Sequence, residues 1–271
     1  MFKLLLCHRR QGWFGAGRFH RHWRQRYRQL VLDLRADLGY SRYTQLHQVG
    51  RANLLYQGIR ATRSRLVTGL LARSHGVELP PPSHDRAVQD AERWDVVDEL
   101  WYPSRDELVA ALTSERGRAA AGRLIAARAP WVRRTAIVTA EELVTSEPPP
   151  ALRSVIRTVF CLRRVERMTR AAMQAHWTTS HRELVRRLGN ELKFLGYDQL
   201  ITGSDPELDA VIEILGGSDG ASYDGIAGLS FPSQWALVKG LFSIREQRAN
   251  LTLVGDEITF IDASRSSLVF G

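Results

Sequence analysis

The sequence predicts an α+β chain in which one β-α-β-β-α-β unit occurs twice. The first observation is a repeat: Cys7-His8-Arg9-Arg10 returns as Cys161-Leu162-Arg163-Arg164, and His22-Trp23 returns as His176-Trp177 at the same spacing. The second is a later block, in which the segment 94–109 aligns with 223–238 at a shorter spacing. A tandem of one small fold excludes most architectures that are open to a chain of this length.

The difference between the two spacings places an insertion in the first copy, near residues 50–92. Apolar residues alternate with arginines there, which predicts an amphipathic helix that ends at Pro80-Pro81-Pro82. The insertion is either a lid over a pocket, a contact between chains or an inert decoration. Residues 146–151 form a proline-rich linker, because consecutive prolines continue neither a helix nor a sheet ladder. The predicted domains are a first repeat over 1–145 and a second over 152–271.

Each element of the unit follows from the spacing of its apolar residues. The run Leu4-Leu5-Leu6-Cys7 is apolar at consecutive positions, which is typical of a strand that is covered on both faces. A second strand lies around Tyr43–Gln45. Between the two strands, and at the matching place in the second copy, a helix has one apolar stripe. Its residues are Phe19, Trp23, Leu30, Leu34 and Leu38, or Met173, Trp177, Leu184, Leu188 and Leu192.

The remaining elements complete the order β-α-β-β-α-β. A third strand lies at 94–102 or 223–231, and Ser104-Arg105-Asp106-Glu107 is a capping box that opens the second helix. The last strand is predicted at Val132–Thr139 and at Glu257–Asp262. This order is that of a split-βαβ, ferredoxin-like sheet, whose helices cover only one face. We therefore expect the two repeats to pair into one pseudo-twofold α+β barrel within the chain.

Composition limits the class of protein. No apolar run approaches ~20 residues, so we expect no membrane span, and the first strand does not fit a signal peptide, which favours a cytoplasmic location. Both cysteines lie in strand-like runs, so we expect buried free thiols. No histidine pair has metal-ligand spacing with a nearby acidic ligand, so no metal site is expected.

The charge of +9 raises the question of nucleic acid. Lys3, Lys193 and Lys239 are the only lysines, and the many arginines are spread over the whole chain. No zinc finger or RNA-binding sheet motif occurs. We therefore expect no nucleic-acid partner, and arginines that attract an anionic small molecule or maintain solubility.

Several segments together resemble the EthD family of dimeric α+β barrels. They are the arginine pair after the first strand, the helix segments Phe19–Trp23 and Met173–His181, the strand Tyr43–His47, the segments around Trp94–Tyr102 and Tyr223–Ile226, and the late run Asp256–Asp262. The likeness covers both copies, outside the insertion and the linker.

The resemblance implies a barrel without a cofactor. Similar proteins include decarboxylases and dehydratases that act on polyketide-derived aromatics in secondary metabolism. The family's usual helix histidine matches His181, where the first copy has Tyr27, and its frequent strand histidine matches His47, where the second copy has Ile201. The two sites are therefore not expected to be chemically equivalent.

The helix supplies the first candidates for chemistry. At about 100° per residue His181 falls near the centre of the apolar stripe, beside Trp177, so it points into the protein. It is either a general acid or base, or a core histidine bonded to a backbone carbonyl. His22 and His176 lie at the edge of the stripe in both copies, which favours a structural role.

The second strand supplies the others. Tyr43, Gln45 and His47 project to one face, and so do Tyr197 and Gln199 in the second copy. Polar groups that converge in a largely apolar setting suit a small-molecule pocket, and they equally suit a hydrogen-bonded core network.

We therefore predict a cofactor-independent enzyme, a lyase or an isomerase, that acts by proton transfer on a hydrophobic, aromatic or polyketide-like anionic molecule. The reaction would be a decarboxylation, a dehydration or an isomerisation, with His181 or His47 as the catalytic residue. The residues expected at the substrate are Tyr43, Gln45, Tyr197, Gln199, Trp177, His176, His22 and Tyr27. The alternative is a non-catalytic barrel that binds a small molecule or a partner. A homodimer is left open.

Overall fold

The computed structural model describes residues 1–48, 94–146, 156–217, 223–233, 244–263 and 265–271. The predicted insertion and the predicted linker lie outside these ranges, except for Ser146, which ends a strand. The described residues form two compact units. The first contains Met1–Gln48, Arg93–Leu143 and Leu200–Tyr223, and the second contains Val144–Gln199 and Asp224–Gly271. The division does not follow the repeats, because 200–223 of the second repeat joins the first unit.

The first unit is an antiparallel sheet with helices on one face. Its elements from the first repeat are β1 (Phe2–Arg10), α1 (Ala16–His22), a π-helical turn (Trp23–Tyr27), α2 (Arg28–Asp33), α3 (Arg35–Leu38), β2 (Arg42–His47), β3 (Val96–Tyr102), α4 (Arg105–Thr113), α5 (Glu115–Arg128) and β4 (Val132–Ser146). These strands are hydrogen-bonded in the ferredoxin-like order β2-β3-β1-β4. Ser104 caps α4, as predicted, by accepting a hydrogen bond from the Glu107 amide.

The second repeat has the same β-α-β-β-α-β order, with a helix, Pro206–Ile214, between its second and third strands. They are β5 (Ile156–Leu162), α6 (Arg170–His176), a π-helical turn (Trp177–His181), α7 (Arg182–Leu192), β6 (Gly196–Thr202), α8 (Pro206–Ile214), β7 (Gly225–Phe231), α9 (Ile244–Phe260) and β8 (Ser267–Phe270). The strands follow the order β6-β7-β5-β8, and the last residues of β6 belong to the first unit. The predicted α+β class with two ferredoxin-like β-α-β-β-α-β repeats is confirmed.

Helix α8 of the second repeat belongs to the core of the first unit. It begins at the cap residue Asp205, and its apolar residues join the core formed by the sheet and α1 to α5. Arg105 holds the beginning of this helix, with Nη2 2.7 Å from Asp205 and 2.6 Å from Glu207. The largest buried side chains of this core are Trp23, Tyr27, Tyr102, Phe19, Leu4, Leu34 and Leu38.

The predicted last strand of the second repeat, Glu257–Asp262, is wrong. Glu257–Phe260 forms the end of α9, and the final strand is β8, which pairs with β5. The segment alternates apolar and polar residues as a strand does, but its backbone is helical: the Ile261 amide donates to the Glu257 carbonyl, four residues earlier, at 2.7 Å. A segment this short fits the period of a strand and the period of a helix about equally well, so its sequence does not decide between them.

The π-helical turns are a feature that the sequence did not predict. In the first, the amide of Arg28 donates to the carbonyl of Trp23, five residues earlier, and the turn Trp177–His181 has the same bonding. A π turn adds one residue to the helix, so the buried position that follows is displaced by one. The buried residues there are Val31 and Val185, in place of Leu30 and Leu184.

The sequence also predicts that both cysteines are buried. Cys7 and Cys161 are both buried thiols, as expected. Among the described residues, no helix has both the length and the apolar character needed to cross a membrane.

Packing of the second π turn against β7 predicts a large effect at one glycine. A Cβ atom at Gly225 would lie 2.3 Å from Cζ3 of the buried Trp177 ring, whereas a Cβ at Gly17 would meet nothing within 4 Å. We expect Gly225→Ala to lower the free energy of unfolding by about 1–3 kcal/mol, because the indole has to move. Gly17→Ala is the control and should be neutral or slightly stabilising. Urea denaturation measures both, and equal midpoints for the two variants would contradict this packing.

Candidate functional site

Strand register brings polar side chains together on the helix-covered face of the first unit's sheet. In β1, His8 shares this face with Leu6, and the pairing sets Leu6 opposite Asp98 and His8 opposite Thr135. Strand β2 then sets Gln45 opposite Asp98. Residues from four strands therefore surround one point on the sheet.

Asp98, which is 1% exposed, is the centre of this cluster. It accepts a hydrogen bond from the Tyr43 hydroxyl at 2.6 Å and another from Trp23 Nε1 at 2.9 Å. His8 Nε2 lies 3.1 Å from the same carboxylate, and His8 Nδ1 lies 3.0 Å from the Thr135 hydroxyl. The sequence predicted Tyr43 as a site residue but did not predict Asp98 or His8.

A chain of hydrogen bonds leads from Tyr43 towards the surface. Gln45 Nε2 donates to the Tyr43 hydroxyl at 2.6 Å, and His47 Nε2 lies 3.2 Å from Gln45 Oε1. His47 Nδ1 lies 3.1 Å from Nδ1 of His20. Because Gln45 Oε1 only accepts, His47 donates from Nε2 and accepts from His20 at Nδ1. The three predicted residues of β2 are thus brought together, and both ring nitrogens of His47 have partners inside the chain.

Burial controls the titration of these groups. Together with the charges of Arg24 and His20, it lowers the pKa of His47 from its ordinary 6.5 to about 4. Burial also lowers the pKa of His8 and of His20. These three imidazoles are therefore neutral at neutral pH. Burial and the charge of Asp98 raise the pKa of Tyr43, which keeps its hydroxyl protonated.

The shift at His47 predicts how stability depends on pH. Unfolded chains bind a proton at His47 near pH 6.5, whereas the folded protein binds it only near pH 4. Between these values the unfolded state binds more protons, so the free energy of unfolding should fall as pH falls from 6.5 to 4. His47→Gln should make this decline shallower, as measured by urea denaturation across that range. An unchanged pH dependence would mean that His47 is not held neutral in the fold.

In the second unit, two predicted histidines share one carboxylate. His181 Nδ1 lies 2.7 Å from Asp256 Oδ2, and His176 Nε2 lies 3.0 Å from Oδ1. The Phe260 ring is 4.9 Å from the ring of His176 and 5.1 Å from that of His181, centroid to centroid. Burial acts to raise the pKa of Asp256, but the hydrogen bond from His181 and the charges of both histidines outweigh it, so the pKa is lowered. The sequence did not single out Asp256.

The π turn explains why two histidines five residues apart reach the same carboxylate. In an α-helix such residues point about 140° apart, whereas a π turn winds more widely and brings them closer. A side-chain amide supports this turn in each unit. Gln199 Nε2 donates to the Trp177 carbonyl at 2.8 Å, and Gln45 Nε2 lies 3.5 Å from the Trp23 carbonyl. The two predicted glutamines therefore hold the turns as well as lining the strand face.

Two polar atoms of predicted residues in the second unit lack partners among the described residues. Asp98 has no counterpart there, because the aligned position in β7 is Ala227. The Tyr197 hydroxyl lies beside the donor groups of Trp177 and Gln199, but its proton has no acceptor in the described part of the chain. The Oε1 atom of Gln199 likewise has no partner there. A buried polar group without a partner costs about 1–3 kcal/mol, a cost that a bound molecule would remove.

The remaining predicted residues lie apart from these hydrogen-bonded chains. His22 stacks on Trp131 with ring centroids 3.8 Å apart. Tyr27 stacks on Trp23 at 4.0 Å and is buried. Trp177 is buried beneath Gly225.

The aspartates that directly precede β3 and β7 form ion pairs with arginines. Asp95 accepts from the amide and the Nε of Arg10, each at 3.0 Å. Asp224 accepts from the amide and Nη1 of Arg164, each at 2.8 Å. The same pair in both repeats indicates a structural role. Within the ranges that the structure describes, no three His, Cys, Asp or Glu side chains are arranged to hold a metal ion.

Two ferredoxin-like repeats, each with its own buried polar cluster, define a tandem α+β protein. The chain belongs to the EthD domain family, whose sequence model matches residues 16–126 and 166–264, one match in each repeat. No curated protein matches the chain in sequence.

Solved structures are similar to the chain in fold. An anthrone oxidase-like protein has a TM-score of 0.52 at 10% identity, over 99% of this chain and 89% of that one. A proposed monooxygenase from Lactobacillus acidophilus NCFM has a TM-score of 0.45 at 6% identity, over 99% and 91% of the two chains. A proposed monooxygenase from Fusobacterium nucleatum has a TM-score of 0.47 at 5% identity, over 99% and 90%. At these identities, similarity in structure speaks only to fold.

Proposed function

We propose that the chain is an enzyme that transfers a proton on an apolar, aromatic or polyketide-like small molecule without a cofactor, and that His181 is its general acid or base. One observation carries the proposal. His181 is 3% exposed, and its Nδ1 atom is held 2.7 Å from a carboxylate oxygen of Asp256. A buried histidine oriented by a carboxylate is a common arrangement for proton transfer.

The Asp256 carboxylate decides which ring nitrogen of His181 reacts. A carboxylate accepts hydrogen bonds, so in the neutral imidazole the proton lies on Nδ1 and the lone pair on Nε2. Nε2 then takes the proton from the substrate. The imidazolium that forms is stabilised by the charge of Asp256, as in other histidine–aspartate pairs. Returning this proton to another substrate atom restores the neutral imidazole and completes an isomerisation, or assists a dehydration or a decarboxylation.

Apolar and polar groups of the second unit suit such a substrate. The Phe260 ring packs against His181, and Trp177 lies in the same π-helical turn as His181. On β6, the Tyr197 hydroxyl proton and Gln199 Oε1 are a donor and an acceptor without partners among the described residues. Burial raises the pKa of Tyr197, which keeps this donor protonated. The name of the anthrone oxidase-like protein, which shares the fold, is compatible with an aromatic substrate.

Hydrogen bonding and weak basicity both argue against His47 as the catalytic residue. Both ring nitrogens of His47 are bonded within the first unit, to Gln45 and to His20. Its pKa of about 4 also makes it a weak base at neutral pH. The side chains of Tyr43, Gln45 and His47 form hydrogen bonds with one another, as in a buried polar network. We therefore infer one dominant catalytic site, in the second unit.

Substitution at His181 tests this assignment. Full-length variants would be incubated with a panel of aromatic polyketide-type acids and ketols, and products would be followed by mass spectrometry. His181→Gln should lower kcat by about 10²-fold or more, the usual scale for loss of a general acid or base. His22→Gln is the matched control and should retain activity. Full turnover by His181→Gln, with loss in His47→Gln, would move the chemistry to the first unit.

A further inference from the structure

We propose that the first unit holds a separate binding site, in which Arg128 and Tyr27 bind the anionic oxygen of an apolar carboxylate or phenolate. The site lies in a different unit from His181, so it does not depend on the catalytic assignment. The sequence predicted Tyr27 as a substrate contact from its match to the family's helix histidine, but it did not predict Arg128.

Arg128 is a buried cation with unused hydrogen-bonding capacity. It is the last residue of α5 and is 4% exposed. Its Nη2 atom donates to the carbonyl of Leu215 and lies 3.5 Å from that of Gly216. Its Nη1 atom is buried and makes no hydrogen bond to a described residue. A buried guanidinium whose donors are partly unused is costly, and an anion is the ligand that would remove this cost.

Tyr27 presents a second donor beside it. The side chain is 2% exposed, and its hydroxyl makes no hydrogen bond of normal geometry to a described residue. Burial raises the pKa of Tyr27, and so does the charge of Asp98, whereas the nearby Arg128 guanidinium lowers it by less. The hydroxyl therefore remains protonated and can donate. Two neighbouring donors without an acceptor match a carboxylate or phenolate oxygen better than a neutral group.

The orientation of Arg128 is fixed by the loop that follows α8. Gly216 has φ +68°, and a Cβ atom there would lie 3.3 Å from Nη2 of Arg128 and 3.1 Å from Cδ1 of Ile125. The loop backbone thus packs directly against the guanidinium and occupies one edge of it. The other edge, with Nη1, is the one that makes no hydrogen bond to a described residue.

Neighbouring charges do not satisfy Arg128. Asp98 acts on both Tyr27 and His8, but its own contacts are with Tyr43, Trp23 and His8. The second unit differs at the position that matches Tyr27. There, His181 Nδ1 lies 2.7 Å from the carboxylate of Asp256, whereas Tyr27 lies near a guanidinium whose Nη1 atom makes no hydrogen bond to a described residue. This unused cation points to anion binding in the first unit.

A pair of isosteric probes tests the proposal on the full chain. Binding of 2-naphthoate and of its neutral analogue 2-naphthamide would be measured by calorimetry. Hydrogen bonds to a charged group are worth about 1.5–3 kcal/mol, so the wild type should prefer naphthoate by roughly 10-fold to 100-fold. Arg128→Gln should remove this preference while retaining naphthamide binding. Tyr27→Phe should reduce it several-fold, and Arg18→Gln, at an exposed arginine, should leave it unchanged.

Two further variants distinguish this site from the one in the second unit and from a purely structural arginine. His181→Gln should keep the preference for naphthoate, and a loss in that variant would place the anion in the second unit and overturn the proposal. If Arg128→Gln does not fold, Arg128→Lys, which keeps the charge, and Tyr27→Phe decide the matter. Equal affinity of the wild type for both probes, or binding of neither, would show that Arg128 only clamps the loop at Leu215.

Discussion

The π-helical turns that begin at Trp23 and Trp177 are the constraint on which both polar clusters depend. Each turn adds one residue to the first helix, so every later side chain is rotated relative to a regular helix. The added residue brings His176 and His181 to one carboxylate. A strand glutamine braces each turn through the tryptophan carbonyl, which couples the helix to the sheet. Such turns are frequent at functional sites, where irregular winding aims a side chain.

Both repeats contain the π turn, but the side chains around it differ in chemistry. At the position five residues after the shared histidine, the first unit has Tyr27 near Arg128 and the second has His181 on Asp256. In the first, Asp98 accepts hydrogen bonds from Tyr43 and Trp23. In the second, the aligned position is Ala227, and the Tyr197 hydroxyl proton has no acceptor among the described residues. Under the two proposals made above, the duplicated fold would offer one site for an anion and another for proton transfer. Both copies share the ion pair between an arginine and Asp95 or Asp224, and this pair has a structural role.

Most of the fold could be predicted from the sequence because most strands and helices have a clear period, and the repeat allowed most assignments to be compared between two copies. Tyr43, Gln45 and His47 could be grouped because alternation on one strand is a local property. Asp98 and His8 were missed because their contact depends on the register between strands, which a single sequence does not contain. An acidic residue inside the buried strand Val96–Tyr102 was the available signal. Asp256 was missed because the residues that follow it, Glu257–Asp262, were assigned to a strand, which hid the helix that carries Asp256 to the two histidines.

The chemistry proposed for the second unit depends above all on the Asp256 carboxylate, which fixes the tautomer of His181. Long-range ¹H–¹⁵N correlation spectra of the protein with ¹⁵N-labelled histidine measure the protonation of each ring nitrogen directly. At a pH at which the imidazole is neutral, His181 should carry its proton on Nδ1 and have an unprotonated Nε2, and Asp256→Asn should disturb this state. A proton on Nε2 with a bare Nδ1 in the wild type would contradict the account, because such a ring donates nothing to Asp256 and has no lone pair to offer the substrate at Nε2.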